Sequence, residues 1–166
     1  MPNPSTTERA KEDLREGKSP STAAGEFVHE EIEHVREGRH GARSPQQAIA
    51  IGLSKARRAG VPLPPPGKGQ ASAATRKNAA RALRRGQSRT KAKPSARRSR
   101  AREEVLEREP KTTASRRALS SQSHRAASRR SAQNRSAAAK KAVRTKGKSE
   151  LRSAARKAAR TRARKG

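Results

Sequence analysis

The sequence has no cysteine, no tryptophan, no tyrosine and a single phenylalanine, Phe27. Without cysteine there is no disulfide scaffold, no thiolate zinc site and no cysteine nucleophile. Almost without aromatics, the 29% of residues counted as hydrophobic are mostly alanine, which buries little surface. A core gains about 1.5–3 kcal/mol per large buried side chain, so this chain is not expected to build one throughout. The longest apolar run, Ala48 to Leu53, is six residues and includes Gly52. A membrane helix needs about 20. The stretch from Met1 to Leu14 is polar, carries both signs of charge and lacks the apolar run of a secretory signal. Acidic residues are scarce in the last hundred positions, with five in 67–166. Together these absences disfavour a large globular fold, a membrane protein and an enzyme, and they set the expectation of a cytoplasmic protein.

What is present is positive charge, unevenly placed. The formal net charge is +29. Residues 1–66 hold ten Lys/Arg against nine Asp/Glu, and residues 67–166 hold 33 against five. The switch falls at Pro62-Leu63-Pro64-Pro65-Pro66-Gly67-Lys68-Gly69. A proline cluster is stiff and extended, and the glycines after it are flexible. This reads as a linker, giving a small helical module over 1–61, a Pro/Gly linker over 62–70 and a basic tail over 71–166. The fold class expected is all-α: an N-terminal helical hairpin followed by a long, largely disordered tail with helix-forming segments.

In the module, Ser5 with Glu8 fits a capping box and Gly17 a helix stop, although Leu14 is the only bulky residue between them. Ser19-Pro20 opens a second helix running to Gly38. Ala24, Phe27, Val28, Ile32 and Val35 make its apolar stripe. Ser44-Pro45-Gln46-Gln47 opens a third, with Ala48, Ile49, Leu53 and Ala56 on one face, Ile51 beside them and Gly60 as the stop. The expected core of the hairpin is Phe27, Val28, Ile32, Val35, Ile49, Ile51 and Leu53, with Val61 and Leu63 adjoining. That is a small core for its size, so homodimerisation through the hairpin or docking on a partner is expected to support it.

Gly25-Glu26-Phe27-Val28-His29, a Gly-containing loop, and then Gln47-Ala48-Ile49-Ala50-Ile51-Gly52-Leu53-Ser54-Lys55-Ala56 together resemble an uncharacterised family of short bacterial proteins. Its helix motif is Q-A-I-A-I-x-L-S. The resemblance covers about 35 of the 166 residues. Gly52 and Lys55 stand where that family more often has Ala and Glu. The resemblance implies a helical fold of bacterial origin and no particular chemistry.

No catalytic constellation is found. His29-Glu30-Glu31-Ile32-Glu33-His34 looks like H-E-x-x-H, but its histidines are five apart, about 140° around a helix, and the zinc motif needs four. Glu33 and Glu30 are their respective i,i+4 partners, which reads as ordinary pairing. Gly67-Lys68-Gly69 is too short for a phosphate-binding loop and has neither flank. Glu103, Glu104, Glu107 and Glu109 sit among arginines and read as intrahelical pairs. Catalytic residues, cofactor and metal are therefore all expected to be none. Arg39 and Arg43, with His40 and the amides opening the Pro45 helix, form a candidate phosphate site. A solvated turn is the plainer alternative.

The tail offers Leu83, Val105, Leu106, Leu119, Val143 and Leu151 as its only large aliphatics. Its Ala, Arg and Lys are strong helix formers, and helices are expected over 71–85, 95–109, 131–145 and 149–164 once phosphates relieve the self-repulsion. Ala138-Ala139-Lys140-Lys141-Ala142-Val143-Arg144 recurs sixteen residues later as Ala154-Ala155-Arg156-Lys157-Ala158-Ala159-Arg160. The composition resembles linker-histone tails. The cations expected to contact phosphate are Arg76, Lys77, Arg81, Arg84, Arg85, Arg97, Arg98, Arg116, Arg117, Arg129, Arg130, Lys140, Lys141, Arg144, Arg152, Arg156, Lys157, Arg160, Arg162 and Arg164. Such a charge needs a polyanion, and nucleic acid is the abundant one. Without Phe, Tyr or Trp after Phe27 the tail has no aromatic platform for stacking bases, which favours duplex DNA and compaction over sequence reading, although Arg can stack on bases and RNA stays open. The expectation is a nucleoid-associated, linker-histone-like DNA-binding protein. The alternative is an interaction module in the hairpin, tethered to RNA or ribosomes by the tail. Membrane insertion is disfavoured because the tail lacks the Trp, Phe or Leu face that it needs. Arg97-Arg98-Ser99 and Arg129-Arg130-Ser131 place serines where phosphorylation would weaken binding.

Overall fold

A computed structural model describes residues 2–88 and 95–164. Parts of the expected basic tail, at 89–94 and 165–166, lie outside the described residues. Those described form helices and no strand. The chain divides into two units, residues 1–122 and 123–166.

The first three helices share one grammar. Each opens on a polar cap followed by proline and closes near a glycine in the left-handed region. Helix α1 is Pro4–Arg15, α2 is Pro20–Arg36 and α3 is Pro45–Arg58. Ser19 caps α2 by accepting from the Thr22 amide, and Ser44 caps α3 by accepting from the Gln47 amide. Gly17, Gly38 and Gly60 follow at φ 75°, 74° and 101°. The start of α1 differs from the expected Ser5 box. Asn3 is the cap, its side chain accepting from the Ser5 amide, because Pro4 already has the φ of a first helical residue. The Asn3 amide also donates to Glu30 at 3.1 Å, tying α1 to α2.

Helix α2 packs against both α1 and α3. One apolar cluster holds Ala10, Ala23, Ala24, Phe27, Ala56 and Val61, flanked by Leu14, Leu53, Ala59 and Leu63. A second holds Val35, Ala42, Ala48 and Ala114, flanked by Ile32. Of the expected core, Phe27 and Val35 are fully buried, and Val28, Ile32, Ile49, Ile51 and Leu53 are only partly so. Alanine takes their place because the helices run close together. A Cβ on Gly52 would stand 2.7 Å from the Val28 Cα, so α2 and α3 meet there backbone to backbone.

The segment read as a linker lies inside the first unit. The Arg57 guanidinium, buried at 6% exposure, donates to the carbonyls of Leu63 at 3.1 Å and Pro64 at 3.0 Å. Helix α4, Ala73–Gln87, then packs back on α3 and buries Ala79 and Ala82. A Cβ on Gly86 would fall 1.8 Å from the Arg57 carbonyl oxygen, so only glycine permits this approach.

Helix α5 is Ala96–Glu107, and a 3-10 turn follows at Thr112–Ala114. This stretch docks on the α2–α3 loop through backbone groups. The Gly41 amide donates to the Leu106 carbonyl at 2.7 Å, and the Ala42 amide to the Pro110 carbonyl at 3.0 Å. Thr113 donates to the Ala42 carbonyl at 2.8 Å and Arg36 to the Ala114 carbonyl at 3.0 Å. Helix α6 is Arg116–Ser128, and at its middle Gln122 accepts a side-chain hydrogen bond from Gln46.

Helix α7, Ala132–Ala163, is capped by Ser131, which accepts from the Asn134 amide. It is interrupted at Gly147, whose φ of 73° and ψ of 161° are not helical. The break separates the two copies of the repeat. The expectation of a largely disordered tail is corrected: among the described residues, 71–164 is mainly helix. Ala, Arg and Lys supply the propensity, Ser72 and Ser131 supply caps, and α4 gains tertiary support from α3.

Candidate functional site

Two features stand out: a surface of cations and a buried polar cluster. On the first unit, Lys77, Arg81, Arg84 and Arg85 are exposed on α4. Arg76 is partly buried, and its Nε is enclosed without a hydrogen-bond partner. Arg97 and Arg98 are exposed on α5, and Arg116 and Arg117 on α6. In the second unit, Arg129 and Arg130 precede α7 and are exposed. Lys140, Lys141, Arg144, Arg152, Arg156, Lys157, Arg160 and Arg162 are exposed along α7, and Arg164 just after it. They are distributed around the helix rather than along one stripe. Among residues 123–164 only Gly147 and Leu151 fall short of full exposure. That stretch carries fifteen Lys/Arg and one acidic residue, Glu150.

The candidate phosphate site at Arg39 and Arg43 is less open than its sequence suggests. The Arg39 side chain pairs with Glu37 at 2.8 Å and reaches His34 Nε2 at 3.2 Å. Arg43 is exposed, and its amide is taken by Gln47 Oε1 at 2.8 Å. The amide of Gln47 is in turn held by the Ser44 cap.

The polar cluster centres on Glu31, whose side chain is 1% exposed. It sits on the buried face of α2 between Phe27 and Val35, one helical turn from each. Lys55 of α3 lies against its Oε2, and His40 Nε2 lies 3.2 Å from its Oε1. Neither carboxylate oxygen has a hydrogen bond of good geometry. His40 Nδ1 is 3.0 Å from the Gly41 carbonyl, which only accepts, so Nδ1 carries the proton and donates. His34, one turn along α2 from Glu31, meets the His40 ring edge-on at 6.1 Å between centroids. Its basicity is held below that of an ordinary histidine, chiefly by burial and next by the Lys55 ammonium. Glu30 Oε1 is 3.7 Å from His34 Nε2, the i,i+4 partner expected from sequence, but Glu30 is buried where a surface pair was expected. One donor atom each from Glu31, His34 and His40 lies within 4.8 Å of the others.

His29, the other half of the apparent motif, is exposed and takes no part in this group. The sequence did carry a signal for the cluster: a carboxylate at position 31 on the stripe of Ala24, Phe27 and Val35. His40 comes from a loop and Lys55 from another helix, and no local spacing announces either.

Comparisons with protein-family models, curated proteins and solved structures find no match.

Proposed function

We propose that the protein binds nucleic acid without sequence specificity, by neutralising phosphates with the cations of α4 to α7, and that duplex DNA is its main partner. It acts as a nucleoid-associated binding protein and not as an enzyme. The observation that carries this reading is the second unit: fifteen exposed cations in 123–164 against a single glutamate. Such a surface repels itself unless a polyanion lies on it. Alanine between the cations lets a phosphate backbone approach closely and offers nothing to read base edges. Phe27, the one Phe, Tyr or Trp in the chain, is wholly buried and leaves no large aromatic side chain to stack on unpaired bases. The two helical stretches separated at Gly147 carry similar basic heptapeptides, identical at five of seven positions, which suits contact with two stretches of duplex and hence compaction.

The test is a fluorescence-anisotropy titration of the full chain against a duplex and a structured RNA of equal length, over a range of salt. The expected result is a linear fall of log K with log salt, steepening by about 0.9 for each phosphate contact on duplex DNA. Weak binding to both at about 0.1 M salt, or clearly tighter binding to the RNA, would overturn it.

A further inference from the structure

We infer that Glu31, His34 and His40 form a binding site for a divalent transition cation of the zinc class. Two imidazoles and one carboxylate are a donor set that such ions take readily, leaving one position for water. Glu31 and His34 are three apart on α2, so they share one face of the helix. His40 arrives from the loop, and that loop is fixed. The Gly41 amide is bonded to the Leu106 carbonyl, and a Cβ on Gly41 would stand 1.8 Å from the Glu109 carbonyl oxygen.

Three further observations point to an ion. The Glu31 carboxylate is enclosed, yet neither of its oxygens has a well-formed hydrogen bond. Lys55 neutralises the charge at Oε2, while Oε1 faces an imidazole nitrogen and no cation. His40 donates Nδ1–H to the Gly41 carbonyl, the outer-shell bond that orients a metal-binding imidazole and turns Nε2 toward Glu31 Oε1. The three donor atoms lie within 4.8 Å of one another. Donors about 2.0–2.1 Å from a tetrahedral zinc lie about 3.4 Å apart, so small side-chain rotations close the set. Lys55 occupies Oε2 and leaves Oε1 for the ion. Glu30 and the Arg39 guanidinium both face His34 Nε2, so their charges balance there and an ion bound through that nitrogen displaces the Arg39 contact.

The inference does not rest on nucleic-acid binding. The full chain, stripped with a chelator, is titrated calorimetrically with Zn2+ and, separately, with Co2+, whose visible spectrum reports its ligands. One ion per chain with a raised thermal midpoint is expected. His40→Ala weakens binding by about tenfold or more, in line with the loss of a part of a metal site. His29→Ala, on the exposed side of the same helix, leaves it unchanged. Lys55→Met strengthens it and enlarges the thermal shift, because it removes the competing cation from Glu31. Circular dichroism confirms that each variant is folded, and His34→Ala provides the same reading if His40→Ala is not. No uptake of either ion, or equal losses in His29→Ala and His40→Ala, would overturn the site.

Discussion

Helices α4 and α7 are written in nearly the same alphabet of Ala, Arg and Lys, yet α4 buries Ala79 and Ala82 and α7 buries nothing. Composition makes both helical. What separates them is a surface to dock on. Helix α4 ends in Gly86, which lets its backbone reach the Arg57 carbonyl, and α3 is held by Arg57 to the proline segment leading into α4. Helix α7 has alanines at similar spacing and no such counterpart among the described residues of its unit. Basic Ala-rich sequence is thus a helix former by default and a packed helix only where backbone approach is permitted.

The strongest way to break the contrast is Phe27→Ala. It removes the largest buried side chain and should cost the first unit about 3–5 kcal/mol, seen as loss of its cooperative urea transition. The far-UV helical signal of α7 should survive, because that helix has no buried residue. Next is truncation after Gln122, which keeps α4 and removes the second unit. Duplex affinity near 0.1 M salt should fall by about two orders of magnitude, with a flatter salt dependence. Retained affinity would place the interface on α4 and α5 instead.

Paired glycine variants sharpen the contrast. Gly86→Ala drives a Cβ into backbone and should destabilise the first unit by about 1–3 kcal/mol in denaturant melts. Gly147→Ala meets no neighbour, but its φ and ψ belong to a region that is almost glycine-only. The stretch should convert to continuous helix, so ellipticity rises where Gly86→Ala lowers it. The smallest effect is at the caps. Ser72→Ala and Ser131→Ala each lose one accepted amide hydrogen bond, worth about 1 kcal/mol. In Ser72→Ala, α3 packing should hold the helix, whereas in Ser131→Ala the first turn of α7 should fray in amide exchange.

Much of the helical plan was legible, for physical reasons that differ along the chain. Ser19-Pro20 and Ser44-Pro45 with Gly17, Gly38 and Gly60 are local punctuation that the structure obeys, while at α1 the Asn3-Pro4 start stands in place of the expected Ser5 box. The stretches 71–85, 95–109, 131–145 and 149–164 follow α4, α5 and the two parts of α7 closely. Helix α6 was not legible, because Ser115 offers its hydroxyl to the Ala118 amide without a periodic apolar face behind it. The docking of 106–114 on the α2–α3 loop left no trace either, since Gly41, Ala42, Leu106 and Pro110 meet through amides and carbonyls. His40 was read only beside Arg39 and Arg43 in the loop, because its approach to Glu31 depends on how that loop folds back on α2.

The 3-10 turn at Thr112–Ala114 has a consequence for the order in which the molecule is made. Its bonds to Arg36 and Ala42 span 78 and 71 residues. At about 5–20 residues per second, a ribosome takes roughly 4–16 s to produce that interval. For that time the nascent chain holds Val35, Ala42 and Ala48 with no Ala114 to cover them. The cluster closes only after residues 67–114, with fifteen Lys/Arg against four Glu, have been made, so its last wall arrives with the far end of a strongly cationic stretch.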